Sequence, residues 1–221
     1  MKLYSGPLSL FTAKVRVALD EKKLDYQRIE VGWSLERRYE PHHPDVVALN
    51  PKRQVPVLVD GDVVVYDSTL ILEYLEERFP EPPLYPQGIA ERARCRKLEA
   101  AGDEIIFPHV WSLIDGGFYP APAGSGAAER KKLACGELAR LHLELDKELV
   151  GREYLCDRFS AADIGNFIML STAATLGAPP AAAHTNLQAW LARVGGRPAI
   201  KREIDGMTAF VRGLFPARPV A

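Results

Sequence analysis

The sequence predicts an α/β domain over residues 1–79, a linker over 80–88 and an all-helical domain over 89–221. Three observations predict it. Short strand-like runs and helix-period runs alternate through the first eighty residues, the mark of an α/β layer arrangement. Four prolines then fall within seven residues, from Pro80 to Pro86, followed by Gly88, which breaks any continuing element. After that break no period-two alternation returns, and the apolar residues recur at helical spacing to the end of the chain.

The elements follow in order. Lys2-Leu3-Tyr4 reads as a first strand and Ser5-Gly6-Pro7-Leu8 as a turn. A helix comes next, with Phe11, Val15, Ala18 and Leu19 on one face. Asp25 to Val31 is a second strand, reached by a right-handed crossover. Residues 32–49 read as irregular. A third strand is entered through Val55-Pro56, turns at Asp60-Gly61 and returns as Val63 to Tyr66. Asp67-Ser68 opens a helix whose buried face is predicted as Leu70, Ile71, Tyr74 and Leu75, with Glu73, Glu76, Glu77 and Arg78 outward. Beyond the linker, helices are predicted over 89–115, 127–149, 160–175, 185–195 and 198–214, with a Gly- and Pro-rich loop from Gly116 to Gly126 and a kink at Pro108.

Composition narrows the function. The 28 basic and 29 acidic residues give a net charge of -1, so no field favours nucleic acid or an anionic membrane. The three cysteines, Cys95, Cys135 and Cys156, have no C-x-x-C spacing, which speaks against a disulfide scaffold and a zinc site. Adjacent His42 and His43 face different directions, and no metal is assigned to them. There is no charged-then-apolar leader and no run of about 18 apolar residues, so neither export nor membrane insertion is expected, and a reduced cytoplasm fits best.

Several junctions carry binding chemistry. A cis Val55-Pro56 bond would turn the Val55 backbone outward, to pair with an extended peptide as a further strand. The helix start at Ser68 offers unpaired N–H groups and the positive end of a dipole to a carboxylate, and Asp67 beside it suits an ammonium. Together these describe a site for a small zwitterionic peptide. Ser9, at the first turn of the first helix, is a candidate N-cap.

Gln54-Val55-Pro56 with Asp67-Ser68, preceded by Asn50-Pro51 and followed by an amphipathic helix, resembles the glutathione-binding half of the cytosolic glutathione transferase superfamily. The resemblance implies a thioredoxin-like N-terminal domain with a mixed four-stranded sheet. It is similar to the serine-type theta, tau and zeta classes, in which a loop serine donates its hydroxyl to the glutathione sulfur. Counting back from Lys14-Val15-Arg16-Val17-Ala18-Leu19, that serine falls on Ser9, with Thr12 in reserve because some bacterial ether-cleaving members align a serine there. Tyr4 and Ser5 are weaker candidates. The chemical need is plain: a free thiol with a pKa of about 8.5 is only a few per cent thiolate at neutral pH, and a hydroxyl donor with a helix N-terminus can lower it by about 2 units, or about 2.7 kcal/mol. Classes that work through a mixed disulfide carry a cysteine in this loop. This chain has none between Lys2 and Lys14.

By the same resemblance His42 binds the glycyl carboxylate, with Lys52 as second candidate, while Arg53 departs from the family's usual small residue or lysine. Phe159-Ser160-Ala161-Ala162-Asp163-Ile164 combines a capping-box variant with a Phe159 and Ile164 staple, and it resembles the family's helical-domain signature. Trp190 to Pro198 resembles its C-terminal pattern. The acceptor is expected between the domains against the first long helix, with Phe107, Val110 and Trp111 as walls, and Asp103 is placed where some members present an acid to the glutathione amine across a dimer interface.

The function expected is attack of the bound glutathione thiolate on a small apolar electrophile, in a detoxifying homodimer with glutathione as co-substrate and no metal. The alternatives are a specialised glutathione-dependent lyase, dehalogenase or ether-cleaving enzyme, and a non-catalytic binding protein of the same fold.

Overall fold

The computed structural model describes residues 1–40, 42–119 and 124–215, so part of the Gly116–Gly126 loop lies outside the described residues. Contacts cluster into two units. One holds the chain up to Pro82 together with the segment from Pro198 onward, and the other is Pro83–Arg197.

In the first unit β1 (Lys2–Ser5), α1 (Leu10–Glu21), β2 (Gln27–Glu30), α2 (Pro44–Leu49), β3 (Val57–Asp60), β4 (Val63–Tyr66) and α3 (Ser68–Arg78) follow one another. The sheet order is β2-β1-β3-β4, with β1 parallel to β2 and the other two pairs antiparallel. This is the mixed four-stranded sheet expected. Both faces are covered, because alternate residues of a strand point opposite ways. Tyr4 and Val57 pack with Val31 and Val46 of α2 on one face. Leu3 and Leu58 are fully buried on the other. The hairpin closes through Gly61, whose φ of 60° suits a residue without Cβ.

Three readings of the sequence change here. The stretch 32–49 is not wholly irregular: α2 forms in it, with Pro44 at its start and His43 as N-cap accepting from the Asp45 N–H. Leu70 is 52% exposed and Leu72 is fully buried in its place. Glu76, expected outward, is 3% exposed. Its carboxylate meets the equally buried Lys22 ammonium at 2.7 Å, and Lys22 also donates to the carbonyls of Phe79 and Pro82. A partner at the C-cap of α1 pulled Glu76 inward, which α3's own periodicity does not encode.

The second unit is helical: α4 (Ile89–Ala101), α5 (Phe107–Phe118), α6 (Ala127–Glu148), α7 (Ala161–Thr175) and α8 (Thr185–Gly195). The helix expected over 89–115 is interrupted by a π-turn at Gly102–Ile106, one turn before Pro108. Proline lacks an N–H and its ring crowds the carbonyl four residues back, and the wider turn relieves this. The α7 start is the capping device anticipated. Asp163 accepts from the Ser160 N–H and hydroxyl, from the Leu155 N–H and from the Trp190 indole at 2.7–2.9 Å. Burial raises its pKa, and these four donors oppose the rise.

The last helix, α9 (Pro198–Leu214), packs on α1 within the first unit. Glu203 takes a bidentate bond from buried Arg16, and Arg202 pairs with Asp20. No helix among the described residues is long and apolar enough to cross a membrane.

Candidate functional site

The site is built on two helix N-termini and one loop. Ser9 is the N-cap of α1, its hydroxyl oxygen accepting from the Thr12 N–H at 3.1 Å. A hydroxyl that accepts in this way still has its own proton to give, so the capping role and a thiolate-binding role coexist. Thr12 is fully closed to solvent, and its hydroxyl has no partner. Ser5 is committed elsewhere, because its hydroxyl accepts from the Arg16 guanidinium at 2.6 Å. Tyr4 donates to Asp45 at 2.8 Å, and that hydrogen bond, with burial, raises its pKa and keeps its proton in place. The turn before Ser9 is shaped by a close approach: a Cβ on Gly6 would lie 2.6–2.8 Å from the ring of Tyr39.

The loop from Asn50 to Pro56 is organised by Asn50, a residue noted in the sequence only as part of a pair. Its side chain is buried, donates to the Gln54 carbonyl at 2.7 Å and accepts from the Lys52 N–H at 2.9 Å. Arg53 completes the turn at φ 55°. The Val55-Pro56 bond is cis. Strand pairing with β4 starts only at Val57, so Val55 lies just outside the hairpin ladder.

The α3 N-terminus carries two unusual features. Asp67, its N-cap, holds φ 77° and ψ 125°, a conformation that L-residues seldom adopt and that concentrates at ligand sites. Its carboxylate accepts from the Thr69 N–H at 3.2 Å and from the Lys52 ammonium at 3.1 Å. Ser68 follows at the first helical position, 3% exposed, with a buried hydroxyl that has no hydrogen-bond partner. Buried polar groups are nearly always paired, so an orphan at a helix N-terminus points to a partner supplied from outside.

Lys52 therefore sits at the Asp67 end. Its ammonium, expected at the glycyl carboxylate, is bonded here to the carboxylate at the head of α3. His42 lies on the loop before α2, its Nδ1 at 3.1 Å from the Tyr39 carbonyl and 3.2 Å from Glu40.

The residues expected to hold an acceptor separate. Val110, expected as an apolar wall of the acceptor site, is fully buried on the inner face of α5; that face was legible, but periodicity does not distinguish core from pocket. Trp111 is 40% exposed and Phe107 half-buried, their rings 6.1 Å apart. Asp103 falls in the π-turn, half-buried.

Comparisons with known proteins bear on the family and the fold. Residues 3–83 match the family model described as the glutathione S-transferase N-terminal domain. A stringent starvation protein A homolog from Coxiella burnetii is 40% identical over 121 residues, 53% of each chain. The chain's match thus spans about half the length of that curated relative. Among solved structures, a glutathione S-transferase from Rhodospirillum rubrum F11 is 30% identical, with 91% of this chain and 90% of that chain covered and a TM-score of 0.77. A sphingomonad glutathione S-transferase complexed with glutathione is 27% identical, covering 94% of this chain and 99% of that one, with a TM-score of 0.75. On the N-terminal match and the identity sustained over nine-tenths of both chains, this chain belongs to the cytosolic glutathione S-transferase superfamily.

Proposed function

We propose that the protein is a serine-type glutathione transferase that delivers the glutathione thiolate to a small apolar electrophile. The observation that carries this reading is the orphaned Ser68 hydroxyl at the head of α3, next to a carboxylate held in a strained backbone. A glutamyl head group answers both: its α-carboxylate takes the Ser68 hydroxyl, the α3 N-terminus and the Lys52 ammonium, and its α-ammonium takes Asp67. The hydroxyl is closed to solvent, so a rotation about its Cα–Cβ bond turns it to the incoming carboxylate.

The rest of the tripeptide follows from the loop. Val55 pairs with the cysteinyl backbone as a short extra strand, Gln54 and Pro56 flank it, and His42 holds the glycyl carboxylate. The thiol then reaches the α1 N-terminus, where the Ser9 hydroxyl and the helix dipole favour the anion, with Thr12 second because its hydroxyl is enclosed. The sulfur attacks the electrophilic carbon, a carbon–sulfur bond forms, and the leaving group departs with its electron pair. In this reading two copies form a dimer in which Asp103 of one reaches the glutamyl ammonium in the other, and the protein works in a reduced cytoplasm as a detoxifying enzyme.

One observation favours a second reading. The Coxiella burnetii relative is named for stringent starvation and not for a transferase. A chain that keeps the fold and serves as a non-catalytic binding protein fits that likeness. Titration calorimetry with glutathione separates the two: saturable binding at one site per chain, together with a thiolate absorbance band at neutral pH, supports the transferase. Absence of any binding heat supports the binding protein.

A further inference from the structure

The guanidinium of Arg16 joins the last helix of the chain to the turn before Ser9. Arg16 is 4% exposed, and its planar fork is engaged on both edges. On one edge Nε donates to Glu203 of α9 at 2.8 Å, and Nη2 donates to the other oxygen of the same carboxylate. On the other edge Nη1 donates to the Ser5 hydroxyl at 2.6 Å and to the Gly6 carbonyl at 3.1 Å. That carbonyl also accepts from the Ser9 N–H at 3.4 Å, so Arg16 and Ser9 share one acceptor. The Tyr39 ring packs so close to Gly6 that it leaves no room for a Cβ there. Gly6 is thus gripped by a ring and a guanidinium, and the Ser9 backbone is tied to it.

A guanidinium transmits position because its donors lie in one rigid plane: a carboxylate that fixes one edge fixes the donors on the other. The ion pair itself adds little net stability, since taking both charges out of water offsets most of their attraction, and an apolar pair of similar volume can hold two helices together as well. What an apolar pair cannot do is grip the turn. The second link between these helices, Arg202 to Asp20 at 2.9 Å, is largely exposed and lies at the C-terminal end of α1, away from Ser9. Arg16 and Glu203 stand 187 residues apart in the chain, so no local pattern announces their contact.

We infer that Glu203 is a positioning residue for the Ser9 hydroxyl: through Arg16 it fixes the turn from Ser5 to Ser9 and so keeps the hydroxyl on the glutathione sulfur. The inference rests on the transferase reading for the sulfur, while the hold on the turn stands on the hydrogen bonds alone. Its sign separates it from a purely electrostatic role. If Arg16 acted by its charge, a neutral residue at 203 would bare that charge and lower the thiol pKa; if it acts by holding the turn, the same change loosens the hydroxyl and raises it.

The test uses the full chain and three readouts: the ultraviolet thiolate band of bound glutathione against pH, calorimetry with S-methylglutathione, which fills the peptide site without an ionisable thiol, and amide hydrogen exchange of the Ser5–Thr12 segment in the free protein. Glu203→Gln should raise the bound-thiol pKa by about 1 unit, leave S-methylglutathione affinity within about twofold, and speed exchange in the segment at least about tenfold. Glu203→Asp, which keeps the charge and the two acceptor oxygens, should recover most of the shift. Arg202→Gln, which breaks only the exposed pair, should leave all three readouts at parent values. Because Glu203→Gln strands a buried guanidinium and can prevent folding, the apolar pair Arg16→Met with Glu203→Leu serves as the second variant: it should fold and still show the raised pKa and fast exchange. An unchanged or lowered thiol pKa in the folded variants, an equal loss of S-methylglutathione affinity, or the same shift in Arg202→Gln would overturn the inference. If the parent binds glutathione without a thiolate band, the transferase reading fails, and the exchange rates alone then decide whether Glu203 holds the turn: equal rates in Glu203→Gln and Arg202→Gln would show that it does not.

Discussion

Replacing Ser68 by alanine should push stability and binding in opposite directions. In the free protein the Ser68 hydroxyl is enclosed without a partner. Enclosing a hydroxyl unpaired costs about 1–3 kcal/mol on mutational scales, so Ser68→Ala removes a penalty and should leave stability unchanged or raise it by about 1 kcal/mol. Alanine also keeps good helix propensity at the first position of α3. In the proposed complex the same hydroxyl donates to a carboxylate, a charge-assisted bond worth about 1.5–3 kcal/mol. Its loss should raise the glutathione Kd by roughly 10- to 100-fold. Urea denaturation of the free protein and titration calorimetry with glutathione read the two effects on one preparation. A variant that is less stable and binds glutathione as tightly as the parent would refute the reasoning, because the hydroxyl would then be structural and unconnected with the ligand.

Three further outcomes are expected. Ser9→Ala should cost about 1 kcal/mol through the lost cap to the Thr12 N–H and should raise the pKa of bound glutathione by about 2 units; an unchanged thiolate titration would move the role to Thr12. Glu76→Gln leaves the Lys22 ammonium buried without its counter-charge and should destabilise by about 3–5 kcal/mol, whereas the apolar pair Lys22→Met with Glu76→Leu should recover most of the loss; denaturation midpoints showing the single change to be harmless would contradict this. His142 on α6 is enclosed, and burial, with a smaller contribution from His184, lowers its pKa to about 4. The unfolded chain protonates near pH 6.5 and the folded chain resists, so stability is complete above that value and falls as pH drops towards 4, by about 3 kcal/mol from this group. His142→Leu should flatten the pH dependence of the urea midpoint over that window, and an equally steep profile would assign the acid sensitivity to other groups.

Much of the fold was legible because it depends on local chemistry. The proline cluster after α3, the return of β4 through Gly61, the Ser160 and Asp163 device at α7 and the proline at the head of α9 each act within a few residues, and the structure has them where the spacing puts them. The head of α3 was legible for the same reason: a helix start advertises its free N–H groups and its capping residue. What the sequence leaves open is cooperative. Val110 and Trp111 are neighbours on one helix, yet one is sealed and the other open, because the packing of other helices decides which side of an apolar stripe is covered.

By itself, then, the sequence determined the four strands and most of the helices, though not α2 or the π-turn within 89–115, and with them the two helix N-termini with Ser9 and Ser68 and the peptide-like chemistry that those termini invite. Only the tertiary structure decided that Glu76 turns inward to Lys22, that Lys52 stands with Asp67, and that α9 returns to α1 and sets Phe210 against Trp33. Each of these joins residues distant in the chain. Periodicity fixes a side chain's direction about its own helix or strand axis; what waits for it there is settled by loop closure and by the burial of charge in pairs.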